Sequence, residues 1–161
     1  MLDVISDTSP IQYLFQIGLL HFLFKLYEEV TIPEAVNAEL AEARRHGVEL
    51  PNAESMPQFK VTPVALDPTL ALPTTLGRGE RDVLPLAAAS PGCLVLLDDG
   101  LARQHAHRLG VKFTGTLGIL LKFKQAGLLV EIRSVLDTLE TKRFRIDHKT
   151  RAHVMKLAEE I

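Results

Sequence analysis

Leu94-Val95-Leu96-Leu97 is an uninterrupted apolar run that stops at two adjacent acids, Asp98 and Asp99. A strand with one wet face alternates apolar and polar residues, whereas a run without alternation marks a strand buried on both faces. Such strands belong to parallel sheets, because the crossovers between parallel strands lay helices over both sides. This segment therefore calls for an α/β chain.

The neighbouring segments supply one. Leu2-Asp3-Val4-Ile5-Ser6 reads as a short strand ending at Asp7. Thr8 or Ser9 can cap the helix that follows, with Pro10 in its first turn. Tyr13, Leu14 and Ile17 follow at helical spacing, Gly18 interrupts, and Leu19 to Tyr27 reads as a second apolar helix. Val30-Thr31-Ile32 is a β-branched strand. Pro33 opens a helix from Glu34 to Arg45 with Val36, Leu40 and Ala43 on one face. Gly47 to Pro57 is loop-like, Phe59 to Val64 reads as a strand, and Pro68 and Pro73 space the next connection. Thr75 to Glu80 leads into an Ala-rich helix that ends at Ala89. After the Leu94–Leu97 run come a helix from Leu101 to Leu109 and a strand from Val111 to Phe113. A further helix runs from Gly115-Thr116 to Gln125, where Gly127 stops it. One more helix falls near Val135 to Leu139 and a last one starts at His148. Alternating strands and helices predict a parallel sheet with helices on both faces.

A length of 161 residues favours a single domain, and a domain of this size hides roughly 70% of its unfolded surface. The single cysteine excludes an intramolecular disulfide and a Cys-based zinc site, and suits a reducing, cytoplasmic setting. The acid at Asp3 and the polar Ser6-Asp7-Thr8-Ser9 do not read as a signal peptide. The longest apolar stretch, Ile17 to Leu26, is broken by His21 and Lys25 and is too short to span a bilayer. Leu19, Leu20, Phe22, Leu23 and Phe24 crowd one segment, which core burial or a homodimer contact would explain. Residues 141–161 hold six Lys and Arg against three acids. They are expected to form a basic helical tail packed on a domain of residues 1–140, with a solvated helix face as the plain account of its charge. The net charge of -2 is unlike that of a protein relying on non-specific nucleic-acid affinity, but a carboxylate cluster lowers net charge and a bound metal restores positive charge locally.

The acids carry the chemistry. Parallel α/β sheets place ligands beyond the carboxyl ends of their strands, where Asp7 and the Asp98-Asp99 pair fall. A carboxylate directly after a buried strand is costly to desolvate without a partner, and oxygen ligands suit Mg²⁺ and Mn²⁺. Helix capping would explain Asp7 equally well. Glu39 lies beside the apolar stripe of its helix rather than opposite it; a lone surface Glu is the plain alternative. Glu80 follows Gly77-Arg78-Gly79 at a helix start, where the helix dipole favours an acid anyway. Asp82 shares that turn, and the two do not face one site together. His105 and His107, two apart on a helix, point to different faces and read as surface residues.

Taken in order, these segments carry a resemblance. Ser6-Asp7-Thr8-Ser9-Pro10-Ile11 resembles the start of a PIN domain, and Ile32 to Leu40 resembles its second strand and helix. Leu76-Gly77-Arg78-Gly79-Glu80-Arg81-Asp82 is similar to its glycine–glutamate motif. Leu96 to Arg103 and Gly115-Thr116-Leu117-Gly118 resemble its later motifs. The nearest likeness is to a PIN-like subfamily related to VapC toxins, and Leu136-Asp137 to Phe144-Arg145-Ile146 resembles its tail.

The resemblance implies a PIN-like three-layer α/β/α fold and a metal-dependent endoribonuclease, the toxin of a toxin–antitoxin pair with a small antitoxin protein as partner. It implies Mg²⁺ or Mn²⁺ as cofactor. Asp7, Glu39 and Asp99 would hold one ion and Glu80 or Asp82 a second, while the register between Asp98 and Asp99 stays open. Thr8, Ser9 and Thr116 fall where the substrate is met, and Arg78, Arg81, Arg103 and Arg108 are candidates for the RNA backbone. The alternative is a catalytically weak or inactive module that binds RNA or a partner protein.

Overall fold

The computed structural model describes residues 3–161. Five strands, β1 (Val4–Ser6), β2 (Val30–Pro33), β3 (Phe59–Thr62), β4 (Leu94–Leu96) and β5 (Lys112–Thr114), form one sheet in the order β3-β2-β1-β4-β5. Every pairing is parallel. β1 and β4 are buried along their whole length, which is the double coverage that the Leu94–Leu97 run requires. Val4, Ile5 and Ser6 stand opposite Leu94, Val95 and Leu96. The Asp7 amide extends that ladder, donating to the Leu96 carbonyl at 3.0 Å.

The helices are α1 (Thr8–Gln16), α2 (Leu20–Tyr27), α3 (Glu34–Arg45), α4 (Arg78–Ala88), α5 (Gly100–Arg108), α6 (Thr116–Gln125), α7 (Arg133–Thr141) and α8 (His148–Leu157). With them the sheet makes an α/β/α fold. The strand bounds differ from the sequence reading by a residue or two: β3 stops at Thr62 and β4 at Leu96, β2 runs on to Pro33, β5 is shifted by one residue, and Leu2 lies outside the described residues. Neither Thr8 nor Ser9 caps α1. Asp7 holds the N-cap position and Thr8 is already helical, because β1 passes into α1 with no residue to spare.

The crowded apolar segment is accounted for inside the chain. Leu20 and Leu23 are buried. The Phe22 ring meets Phe123 of α6 edge-on, with centroids 5.7 Å apart, and Phe24 meets Phe59 of β3 at 5.2 Å. At the other end, α8 packs on α6 through buried Val154 and Met155. One basic residue of the tail is not simply solvated: Arg151 bridges Asp137 and Glu140 of α7, each at 2.6 Å. No helix among the described residues is long and apolar enough to cross a membrane.

The strand order decides where a ligand can sit. The chain moves outward from β1 to β2 and β3, then returns to the far side of β1 for β4 and β5. The direction reverses between β1 and β4, and that switch point opens a crevice beyond the carboxyl ends of the two strands. Asp7 follows β1 there, and Asp98 follows β4.

Candidate active site at the ends of the central strands

Asp7 sits at the N-cap of α1, yet its side chain makes no capping hydrogen bond. Capping therefore does not explain it. Only 3% of the residue is exposed. Burial, then the negative charge of Glu80, then that of Glu39 push its pKa up to about 8, against the opposing pull of the Thr8 amide. The Glu80 carboxyl lies beside that of Asp7.

Glu39 is placed by the buried face of α3, where Val36 and Leu40 are anchored in the core. The Thr8 hydroxyl donates to its Oε2 at 3.0 Å. Its Oε1 is buried and has no hydrogen-bond partner. Burial raises the Glu39 pKa, opposed by the Thr8 hydroxyl and the Gly79 amide; Glu80 raises it further and Arg78 lowers it. Gly79, in the first turn of α4, touches both acids: a Cβ there would lie 2.7 Å from Asp7 Oδ1 and 2.7 Å from Glu39 Oε1. Glu80 is the next residue, and its carboxylate folds back over Gly77, where a Cβ would overlap its Oε2. Asp82 is turned about 200° around α4 from Glu80, so Glu80 is the acid of this pair that acts on Asp7 and Glu39.

A second cluster forms at the next strand end. The Thr116 amide donates to Asp98 Oδ1 at 2.7 Å, and its hydroxyl donates to Oδ2 at 2.7 Å. Burial raises the Asp98 pKa, while the two Thr116 bonds and Arg103 pull it down. Arg103 donates from Nε to the Leu97 carbonyl at 3.0 Å and its guanidinium lies over the Phe113 ring, 5.2 Å from the centroid. Gly115 leaves room for both: a Cβ would stand 2.7 Å from Asp98 Oδ1 and from Arg103 Nη2. Asp99 does something else. It is exposed and caps α5, accepting from the Ala102 amide at 2.9 Å.

The structure thus gathers Asp7, Glu39 and Glu80, holds Asp98 with Thr116 and Arg103 at the adjacent strand end, and turns Asp99 and Asp82 away. Ser9 is half-buried in the first turn of α1, and Arg78 is exposed at the start of α4. Arg108 is committed to the fold, donating from Nη2 to the Leu70 carbonyl at 2.9 Å and to His105 Nδ1 at 3.1 Å.

The PIN-domain family model matches residues 3–160. The chain belongs to the PIN-domain family. No individual curated protein gives a significant match.

PIN domains are typically nucleases and generally depend on divalent metal. The residues here suit such an ion. The trio is made of hard oxygen donors. Glu39 Oε1 is a buried carboxylate oxygen without a hydrogen-bond partner, and such an acceptor is costly to desolvate. Asp7, crowded by two further acids, holds its proton far above the ordinary carboxylate range, as expected where a positive charge is missing. Among the described residues no group of three or more His, Cys, Asp or Glu stands ready as a closed metal cage. Glu39 and Glu80 are the two long side chains of the trio in this PIN domain. The site also depends on Gly79 and Gly115, whose bare α-carbons leave room for the acids. In the sequence Gly79 stands out only within the Gly77-Arg78-Gly79-Glu80 segment, which does not tell which acids it lies against.

Proposed function

We propose that this PIN domain is an endoribonuclease dependent on Mg²⁺ or Mn²⁺. The observation that carries the reading is the pairing of Glu39 Oε1, buried and without a partner, with the buried Asp7 carboxylate across the notch at Gly79. Asp7, Glu39 and Glu80 would hold the ion, with Asp98 serving the neighbouring strand end. When bound, the ion lowers the pKa of a water and offsets charge on the phosphoryl oxygens.

The chain's own residues have separable tasks. Thr8 fixes one oxygen of Glu39 and leaves the other free. Arg78, exposed beside the trio, meets the RNA backbone. Arg103 is held by the Leu97 carbonyl and the Phe113 ring, which leaves its terminal nitrogens for a phosphate. In-line attack by water on phosphorus, with the 3′ oxygen leaving and taking up a proton, yields a 5′-phosphate and a 3′-hydroxyl. The VapC-like motifs support a toxin acting in the cytoplasm, with a small antitoxin laying a helix or strand across the acidic crevice.

The test compares wild type with Asp7→Asn on structured RNA in Mg²⁺, Mn²⁺ or EDTA. Cleavage by wild type that stops with EDTA and with Asp7→Asn is expected. Equal cleavage by both proteins, or cleavage that survives EDTA, would sink the reading. A second reading, a PIN-like module that binds RNA or a protein without cutting, draws on Asp98, both of whose oxygens Thr116 already occupies. Calorimetry with Mn²⁺ separates the two, since a folded sample that takes up no metal at millimolar concentration favours the module.

A further inference from the structure

Gly79 is helical, and no left-handed backbone angle demands a glycine there. Alanine is the better residue for a helix on intrinsic grounds. What excludes it is space. A Cβ at this position would lie 2.7 Å from Asp7 Oδ1, 2.7 Å from Glu39 Oε1 and 3.3 Å from Val36 Cγ2. The last contact is tight but tolerable. The first two are too short, so the atoms involved must move. Both are the ends of side chains, and Glu39 Oε1 has no hydrogen bond to hold it. The easiest relaxation swings the carboxylates away and leaves the backbone of α4 where it is.

We infer that Gly79 is a positioning residue of the metal site: its bare α-carbon keeps open the notch in which Asp7 and Glu39 face each other, and any side chain there drives their oxygens out of register. This rests on the reading of the acids as metal ligands. It adds a residue that bonds to nothing in the reaction and acts only through the two carboxylates. It also predicts an unusual separation, in which a substitution removes metal binding while the fold survives.

Gly100 provides the control. It is the first residue of α5, with open space around its Cα and no left-handed angle. Gly79→Ala and Gly100→Ala are made in the full chain and titrated with Mn²⁺ by calorimetry, and each is melted in EDTA and in Mn²⁺. Gly79→Ala is expected to unfold cooperatively in EDTA at or above the wild-type temperature. Its Mn²⁺ affinity should fall about 10- to 100-fold, the usual effect of disturbing what orients a ligand, and its Mn²⁺-induced rise in melting temperature should shrink accordingly. Gly100→Ala should bind Mn²⁺ as wild type does. Unchanged Mn²⁺ affinity in Gly79→Ala, with wild type binding, overturns the role of Gly79 alone. Loss of the folded state in EDTA overturns it too, because the glycine would then serve packing. Wild type that fails to bind Mn²⁺ brings down the metal-nuclease reading together with this one.

Discussion

Thr116 grips Asp98 with two hydrogen bonds, one from its amide to Oδ1 and one from its hydroxyl to Oδ2, each 2.7 Å long. Thr116 is fully buried, so water cannot replace the hydroxyl once it is lost. Thr116→Val keeps the shape and removes that donor. The variant is expected to lose about 1.5–3 kcal/mol of stability, the usual worth of a hydrogen bond to a charged group. Urea unfolding checks this, and an unchanged midpoint would contradict it.

The two adjacent acids should separate cleanly. Asp99→Ala removes the α5 cap, which lowers stability by about 1 kcal/mol and leaves RNA cleavage near wild type. Asp98→Asn should slow cleavage about 10- to 100-fold at a smaller change in fold stability than complete loss of the side chain would bring. Rate measurements on the two purified variants decide the matter. The opposite ranking would return the ligand role to Asp99.

Metal-free stability should fall as pH rises. The Asp7 carboxyl moves from an ordinary 3.8 up to about 8 on folding. The folded state therefore binds a proton that the unfolded state has already released, and the stability this contributes is fully present below the ordinary value. It is lost as pH rises through about 8. Glu39 and Asp98 are shifted the same way and add to the trend. Melting in EDTA from pH 5 to pH 8.5 should show the decline, and Asp7→Asn should flatten it. Added Mn²⁺ should stabilise most at the upper end, where the carboxylate is free of its proton. A wild-type melting temperature that climbs with pH in EDTA would contradict this account.

Glu160 closes the far end of the molecule. Its carboxylate accepts from Lys124 Nζ and the Ile132 amide, each at 2.6 Å, and from the Arg133 amide at 3.1 Å. Burial works against its charge, but these donors outweigh it and hold the carboxyl below its usual pKa. Glu160→Ala leaves the start of α7 uncapped and the Lys124 ammonium with only the Ala158 carbonyl as partner. A loss of about 2 kcal/mol is expected with Mn²⁺ affinity untouched, measured by urea unfolding beside calorimetry. A coupled loss of metal binding would mean that the tail reaches the site.

Much of this molecule is readable in its residues. The run at Leu94–Leu97 has no polar face, so it needs helices on both sides, and β4 has them. The acids come in the order of the PIN-domain motifs, Asp7 and Asp98 after strands and Glu39 and Glu80 on helices, and the family match over residues 3–160 bears out that resemblance. The element boundaries were less legible. α1 begins at Thr8 with Asp7 as its cap, because the length of β1 is set by its neighbours in the sheet and not by its own residues. The tail's charge pattern likewise gave no sign that Arg151 would turn toward Asp137 and Glu140.

Sequence alone determined that carboxylates would gather beyond the ends of buried parallel strands, since apolar runs and the acids that stop them are local facts. Only the tertiary structure decided which oxygen of which acid faces the crevice. Asp98 and Asp99 are chemically alike and adjacent; the start of α6 supplies Thr116 to one, and the first turn of α5 supplies Ala102 to the other. Glu39 acquires a buried oxygen without a partner because α4 brings a glycine, and no side chain, against it. The physical reason is the same in each case. A carboxylate's role depends on the donors and the space within a few ångströms, and those come from segments far away along the chain.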